Sequence, residues 1–259
     1  MSNNVPYDDF VDIYDVWCES APITKENKTF YVDLLSESRP PVVELGVGNG
    51  RICIDVAKRG QKIYGVDSSE KILELTRSRA EEAGVLEKLA LLTGDFRDFE
   101  LPEAAELITI PFHSIGHLLT RADKRKALAN IHRQLVSGGR LAFDHFVYDP
   151  DYPVPVGVPY LRAEFNDPGT GKDYLLWETV QRDMERQVIH LVVCTEELDE
   201  NGVVERRRYC KSDLSWMHPE ESRTLLEETG FEIEALYGNF DRSPFDETSG
   251  EQVWIAKKP

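Results

Sequence analysis

The chain has 259 residues, with 47 acidic and 30 basic side chains and a formal charge of −17. Such a surface repels phosphate backbones and anionic lipid headgroups, which argues against nucleic acid or a membrane as partner. Apolar residues make up 41% of the chain, enough to fill one large α/β domain, or a core with an inserted subdomain, without disulfide or metal staples.

The four cysteines, Cys18, Cys53, Cys194 and Cys210, form no C-x-x-C pair, so their spacing predicts no zinc site. The start of the chain is polar and acidic rather than leader-like. No apolar run approaches the ~18 residues of a membrane span. These features predict a reduced, cytoplasmic enzyme or binding protein.

The first ~35 residues carry Tyr7, Phe10, Tyr14, Trp17, Phe30 and Tyr31 among many acids, at roughly helical spacing, and predict either a helical cap or an amphipathic helix packed on the core. Val42 and Val43 follow two prolines and lead through Glu44 to Gly46-Val47-Gly48-Asn49-Gly50. A short apolar run bounded by proline and glycine predicts a buried strand. Ile52, Val56 and Ala57 then share one face of a helix that stops at Gly60. A second strand is predicted over residues 62–66, ending at Asp67. A helix follows, capped by Ser68 or Ser69 and closed at Gly84.

A third strand fits Leu89 to Leu92, before Gly94-Asp95-Phe96, and a fourth Leu107 to Ile110. Leu128, Ile131 and Leu135 form the stripe of a helix predicted to stop at Gly138-Gly139. A fifth strand runs from Arg140 to about Phe146. This alternation predicts a doubly wound, mostly parallel, Rossmann-like α/β sheet of seven strands. Right-handed crossovers then put the strand carboxyl ends on one edge, where ligands of such sheets bind.

The pattern changes after Asp149. Pro150, Pro153, Pro155 and Pro159 break the chain, and four β-rich stretches follow, separated by Gly169-Thr170-Gly171 and Asn201-Gly202. They predict an antiparallel meander inserted into the α/β core. Pro219 then opens a helix, and two last strands fit Phe231–Tyr237 and Gln252–Ala256. The predicted division is a cap over residues 1–35, a core over 36–148 and 213–259, and a substrate-covering insertion over 149–212.

The glycine bend stands between a strand and a helix, and Asp67 follows Gly46 by 21 residues, close to the ~20 that separate a phosphate-binding bend from a ribose-binding carboxylate. A dinucleotide fingerprint needs a third glycine at the position of Arg51, and a P-loop needs Gly-Lys-Ser/Thr; neither is present. The bend therefore suits a nucleoside better than a pyrophosphate.

Val43-Glu44-Leu45-Gly46-Val47-Gly48-Asn49-Gly50 resembles the first motif of class I S-adenosylmethionine (SAM)-dependent methyltransferases. Gly65-Val66-Asp67-Ser68-Ser69-Glu70 resembles the second motif, and Gly94-Asp95-Phe96-Arg97-Asp98 the third. Ser137-Gly138-Gly139-Arg140-Leu141 and Thr229-Gly230-Phe231 extend the likeness along the chain. The break and meander at 150–212, with Trp216-Met217-His218-Pro219 after them, resemble the sugar N-methyltransferases and glycine-type N-methyltransferases.

This resemblance implies SAM as cofactor, with S-adenosylhomocysteine as product. Gly46, Gly48, Gly50 and Arg51 would hold its methionine part, with Glu44 oriented near it, and Asp67 and Ser68 would meet the ribose. Gly94, Asp95 and Phe96 would meet the adenine. Ile110 and Pro111 would line the path from sulfonium to acceptor, a small molecule methylated on nitrogen or oxygen. No metal is implied, and the protein is expected as a monomer or homodimer.

An amine acceptor needs no strong base, whereas a hydroxyl needs one, and histidine is the natural group. His113 and His145 are predicted just past the ends of strands four and five, on the ligand edge, and His218 at the exit of the meander. His113 is the candidate base. Tyr14, Tyr148, Tyr209 and Trp216 are candidate walls of the acceptor pocket, where π faces stabilise developing positive charge. Two other readings stay open: a non-catalytic SAM-binding protein, and a dinucleotide-binding oxidoreductase.

Overall fold

The computed structural model describes residues 24–151, 154–167 and 171–259. Tyr14, Cys18 and most of the predicted cap lie outside the described residues.

The strand predicted after the prolines is β1 (Val42–Leu45), buried at all four positions. Successive side chains of a strand point to opposite faces. Val42 accordingly packs with Ile63, Leu107 and Ile255, whereas Val43 and Leu45 pack with Ile108, Ile110 and Phe143. A strand that is apolar on both faces can only sit inside a covered sheet. β1 does so, paired in parallel with β2 (Ile63–Asp67) on one side and β4 (Ala105–Ile110) on the other. β3 (Leu89–Thr93) extends the first side. β5 (Leu135–Phe146), β11 (Glu251–Lys257) and β10 (Glu232–Tyr237) extend the second, with β11 antiparallel to both of its neighbours. The strand order β10-β11-β5-β4-β1-β2-β3 reverses direction between β1 and β4.

Helices fill both faces. α1 (Thr24–Glu37) puts Phe30, Tyr31, Val32 and Leu35 into the core on the Val42 face, beside α2 (Cys53–Lys58). α3 (Glu70–Glu82) adds Ala80 to that face, and Ser69 caps it by accepting the Ile72 N–H at 3.2 Å. α4 (Arg121–Gln134) and α5 (Pro219–Glu228) bury Leu128, Ile131, Leu225 and Leu226 on the opposite face. Residues 24–35 of the predicted cap are thus part of the core packing.

α4 ends at Gln134 and not at Gly138-Gly139 as its periodicity predicts. Leu135 already pairs with Ala105 of β4, and the Gly138 N–H donates to the Lys258 carbonyl at 2.8 Å. Sheet pairing from two distant segments captures residues that local pattern assigns to the helix.

The insertion is a four-stranded antiparallel meander, β6 (Tyr160–Asn166), β7 (Asp173–Asp183), β8 (Val188–Leu198) and β9 (Val204–Ser215), in chain order. Leu176, Val193 and Cys210 form its own small core. A polar latch ties its end to the body. Ser215 Oγ stands 2.9 Å from the carbonyl oxygens of both Gly116 and Leu118, and the buried Lys124 ammonium donates to Ser215 Oγ at 2.6 Å and to the Leu118 carbonyl. Burial pushes the Lys124 pKa down to about 8.

On the other face, the Tyr31 hydroxyl donates to the fully buried Asp144 of β5 at 2.7 Å. Hydrogen bonds to charged groups are worth about 1.5–3 kcal/mol. Tyr31→Phe is expected to lower unfolding free energy by about that amount, measured by urea denaturation; an unchanged midpoint would remove this bond from the stabilising set.

Candidate cofactor and acceptor site

The reversal of strand order opens a crevice at the end of β1, and the chain turns through it on glycines. Gly46 and Gly48 have φ of +74° and +58°, a region L side chains enter only at a cost. A Cβ on Gly46 would stand 3.2 Å from Ser114 Oγ and 3.3 Å from Phe96 Cζ. The bend is pinned from below: the Gly46 N–H donates to the Val66 carbonyl at 2.8 Å, and the Thr76 hydroxyl to the Gly48 carbonyl at 2.7 Å. Asp67, at the end of β2, accepts the Gly48 N–H at 3.2 Å and the Ser69 N–H at 2.9 Å. The acid at the second strand's end is therefore bonded to the first strand's bend.

A cavity of about 670 Å³ opens above these groups. Gly46 and Gly48 line it from β1, Asp67 and Ser68 from β2, and Gly94, Asp95 and Phe96 from β3. Ser114 and residues 117–120 line it from the loop after β4, and Arg186, Lys211 and Asp213 of the meander close its far side. Arg97 grips Asp95 with two nitrogens, each 2.7 Å from a carboxylate oxygen, and reaches Asp123 at 3.0 Å. This guanidinium fork holds the Asp95 carboxyl below the usual range. Burial pushes the pKa of His117, another lining residue, down to about 4, so its ring is neutral near pH 7.

The remaining cofactor candidates support the bend from outside the cavity lining. Gly50 leaves room for Ile54 Cδ1 and Thr76 Cγ2, each 2.8 Å from where its Cβ would be. Arg51 reaches back to α1, donating to Asn27 Oδ1 at 2.6 Å and to the Thr24 carbonyl at 3.1 Å, and lies 4.9 Å over the Phe112 ring. Glu44 is 2% exposed, its Oε2 has no hydrogen-bond partner, and burial pushes its pKa up to about 8. Ile110 is fully buried at the end of β4, and the Pro111 carbonyl accepts the Ser114 hydroxyl at 2.6 Å.

The acceptor candidates separate. His113 stands past the end of β4 as predicted, with left-handed backbone at φ +57° and its side chain partly exposed. Its Nε2 lies 2.7 Å from Glu251 Oε2 on β11 and 3.6 Å from Asp144 Oδ2. His145, expected just past the strand on the ligand edge, is instead the penultimate residue of β5 and fully buried, with neither ring nitrogen hydrogen-bonded. Burial drives its pKa well below the ordinary value.

Tyr148 stacks on the buried Trp216, ring centroids 4.1 Å apart and 11° between planes. Tyr209 is not among the residues lining the cavity and is 61% exposed on β9. His218 is the residue before α5, and its N–H donates to Glu221 Oε2 at 2.7 Å; its place is that of a helix cap.

His113, Asp144 and Glu251 each offer a ligand atom within 4.8 Å of the others. The trio is nevertheless occupied with protein protons. Asp144 Oδ1 receives Asn27, the Tyr31 hydroxyl and the Phe112 N–H, and Oδ2 receives the His113 N–H. Sequence reasoning did not single out Asp144, Glu251, Ser114 or Lys124. Asp144 and Glu251 come together through the pairing of β5 with β11, which sets Glu251 opposite Phe146 and has no local signature.

Strand order, crevice and glycine bend together define a Rossmann-like fold with an added antiparallel meander. Residues 42–139 match the family model of a methyltransferase domain. An uncharacterized methyltransferase of Geobacillus thermodenitrificans (strain NG80-2) is 29% identical over 147 residues, 52% of this chain; the match spans about two thirds, 66%, of that relative's length. Among solved structures, the CcbJ methyltransferase from Streptomyces caelestis superposes with a TM-score of 0.83 at 22% identity, covering 100% of this chain and 99% of that one. SAM-bound CalS10, an amino pentose methyltransferase from Micromonospora echinaspora, superposes at 0.70 with 19% identity and 100% of both chains covered. Both share the fold, insertion included.

The raised pKa of Glu44 carries a stability consequence. A carboxyl whose folded pKa lies above its unfolded value contributes stability present below the unfolded pKa of about 4.5 and lost as pH rises through about 8. Thermal unfolding of the ligand-free chain should therefore show wild type losing stability between pH 5 and 8 by at least ~1 kcal/mol more than Glu44→Gln. Parallel pH profiles for the two proteins would contradict this.

Proposed function

We propose that this chain transfers a methyl group from SAM to a nitrogen or oxygen of a small molecule. The observation that carries the reading is the junction of Asp67 with the glycine bend at one cavity. A bend stripped of side chains lets an amino-acid tail approach the backbone. A carboxylate at the next strand's end can accept hydrogen bonds from ribose hydroxyls. Gly94, Asp95 and Phe96 line the cavity one strand further on, where an adenine would follow its ribose. The cavity is large enough for a ligand of this size, and the bend lacks the third glycine that a pyrophosphate fingerprint requires.

When bound, SAM supplies a methyl group already activated on a sulfonium, so the protein's work is placement. Holding donor and acceptor in line can contribute on the order of 7–11 kcal/mol. In this reading residues 36–148 and 213–259 bind the cofactor and residues 149–212 cover the acceptor. The stacked Tyr148 and Trp216 would wall the acceptor side. His113 would take a proton from the acceptor where the acceptor is a hydroxyl or a protonated amine.

The meander and its connection are what this chain shares with an amino pentose methyltransferase fold, and they support a small acceptor enclosed between insertion and body. The acidic surface disfavours nucleic acid in that role.

Isothermal titration of the pure chain with SAM and with S-adenosylhomocysteine is the direct test. Both should bind, and Asp67→Ala should weaken them by about tenfold or more, as expected for removing a charged hydrogen-bond acceptor. Heat from neither ligand would end the reading. Transfer of a labelled methyl from SAM to any member of a panel of small amines and alcohols would establish the activity.

A further inference from the structure

Two carboxylates converge on His113, and each restrains a different part of it. Phe112 and His113 are consecutive non-glycine residues at φ +59° and +57°. Such backbone persists only where the surroundings over-determine it. Asp144 supplies that determination: its Oδ1 accepts the Phe112 N–H and its Oδ2 the His113 N–H, both at 2.9 Å. Two successive amides converging on an anion make a nest, and here the anion is the protein's own. Asp144 is fully buried and held in turn by Tyr31 and Asn27 of α1.

The ring is fixed separately. Glu251 Oε2 stands 2.7 Å from Nε2. Among the described residues, Nδ1 has no hydrogen-bond partner. The side chain keeps 19% of its surface exposed, so the ring is neither sealed in the core nor loose in solvent.

We propose that Asp144 and Glu251 are positioning residues for an acid–base histidine: Asp144 fixes the backbone of His113, and Glu251 keeps a proton on Nε2, so that Nδ1 is the lone pair presented to the methyl acceptor. The proposal rests on the methyltransferase reading and adds to it the two groups that set the histidine's tautomer and geometry. In the step it describes, the acceptor's N–H or O–H proton passes to Nδ1 while the bonding pair stays on the heteroatom. The ring becomes an imidazolium facing Glu251 and later returns the proton to water.

The charged and titratable groups around the ring agree with this. Burial favours the neutral ring, but Glu251 on β11 and Asp144 on β5 outweigh it and lift the His113 pKa above its ordinary value. The neighbouring His145 on β5 is kept neutral chiefly by burial. Tyr31 of α1 is held protonated by burial and by Asp144. The Arg51 guanidinium lies over the Phe112 ring and bonds to α1, with no bond to the imidazole.

The test is a long-range proton–nitrogen NMR correlation of the histidine rings in the full ¹⁵N-labelled chain, alone and with S-adenosylhomocysteine. At a pH above its midpoint, His113 should carry its proton on Nε2. Glu251→Gln should lower the His113 midpoint by about one pH unit or more, and Glu251→Asp should restore most of it. Asp144→Asn should broaden or double the His113 ring signals as the turn loses its anion. A neutral His113 ring protonated on Nδ1 overturns the proposal, as does a midpoint that Glu251→Gln leaves in place; one sharp set of ring signals in Asp144→Asn overturns the role of Asp144. The wild-type tautomer decides the matter even if a variant fails to fold. Calorimetry on the same samples keeps the two readings apart: loss of S-adenosylhomocysteine binding in wild type counts against the methyltransferase reading, whereas an unmoved His113 midpoint with binding intact counts against the roles of Glu251 and Asp144.

Discussion

Everything at the site hangs on the bond between the Asp67 carboxylate and the Gly48 amide. It joins the end of β2 to the bend that follows β1, and it can form only because those strands are parallel neighbours in register, with Leu45 opposite Val66. Right-handed crossovers bring the carboxyl ends of the parallel strands to one edge. β4 then departs on the other side of β1, and the crevice between the two directions is where the chain has no helix of its own to fill the space. The missing side chain at Gly46 leaves that space to Ser114 and Phe96, which stand only 3.2 and 3.3 Å from where a Cβ would be.

A second constraint is electrostatic. An acidic chain has little difficulty staying soluble, yet several of its carboxyls are buried: Glu44 under the bend, Asp144 beneath the turn after β4, and Glu178 and Glu196 in the meander. Burying a charge is costly unless it is paired or richly hydrogen-bonded. Asp144 meets that condition with two backbone amides, a phenol and an amide side chain. Glu196 meets it with the Trp177 indole and Arg207. Glu44 does not, since one oxygen lacks a partner, and it responds by holding its proton to about pH 8.

Much of the fold was legible because it is written locally. Apolar runs between glycines and prolines gave β1 and β2, the change of periodicity after Asp149 gave the meander, and Gly46, Gly48, Asp67 and Asp95 stand at one cavity because each lies at a strand's end or a few residues beyond it. What escaped is long-range. Leu135 belongs to a strand because Ala105 pairs with it, and nothing in its own neighbourhood says so. Glu251 looks like one acid among 47 acidic residues until the pairing of β11 with β5 sets it against His113. Arg51 reaches back to α1 and Gly50 makes room for Ile54 and Thr76, contacts that the sequence does not announce.

The two kinds of information divide along the functional boundary. Residues around the cavity at the ends of β1, β2 and β3 are short-range, because a nucleoside-like ligand asks only for open backbone and carboxylates at fixed offsets. The histidine turn after β4 is assembled from α1, β4, β5 and β11 at once, through Tyr31, His113, Asp144 and Glu251. A proton-handling group needs a defined tautomer and a fixed ring, and those require partners from several directions. The meander adds a further layer, since its last strand is latched to the loop after β4 by Ser215 and Lys124. That same loop carries His113 at one end and Leu118 of the cavity wall at the other. Residues 113–118 thus join the end of the meander to both the cavity wall and the histidine turn.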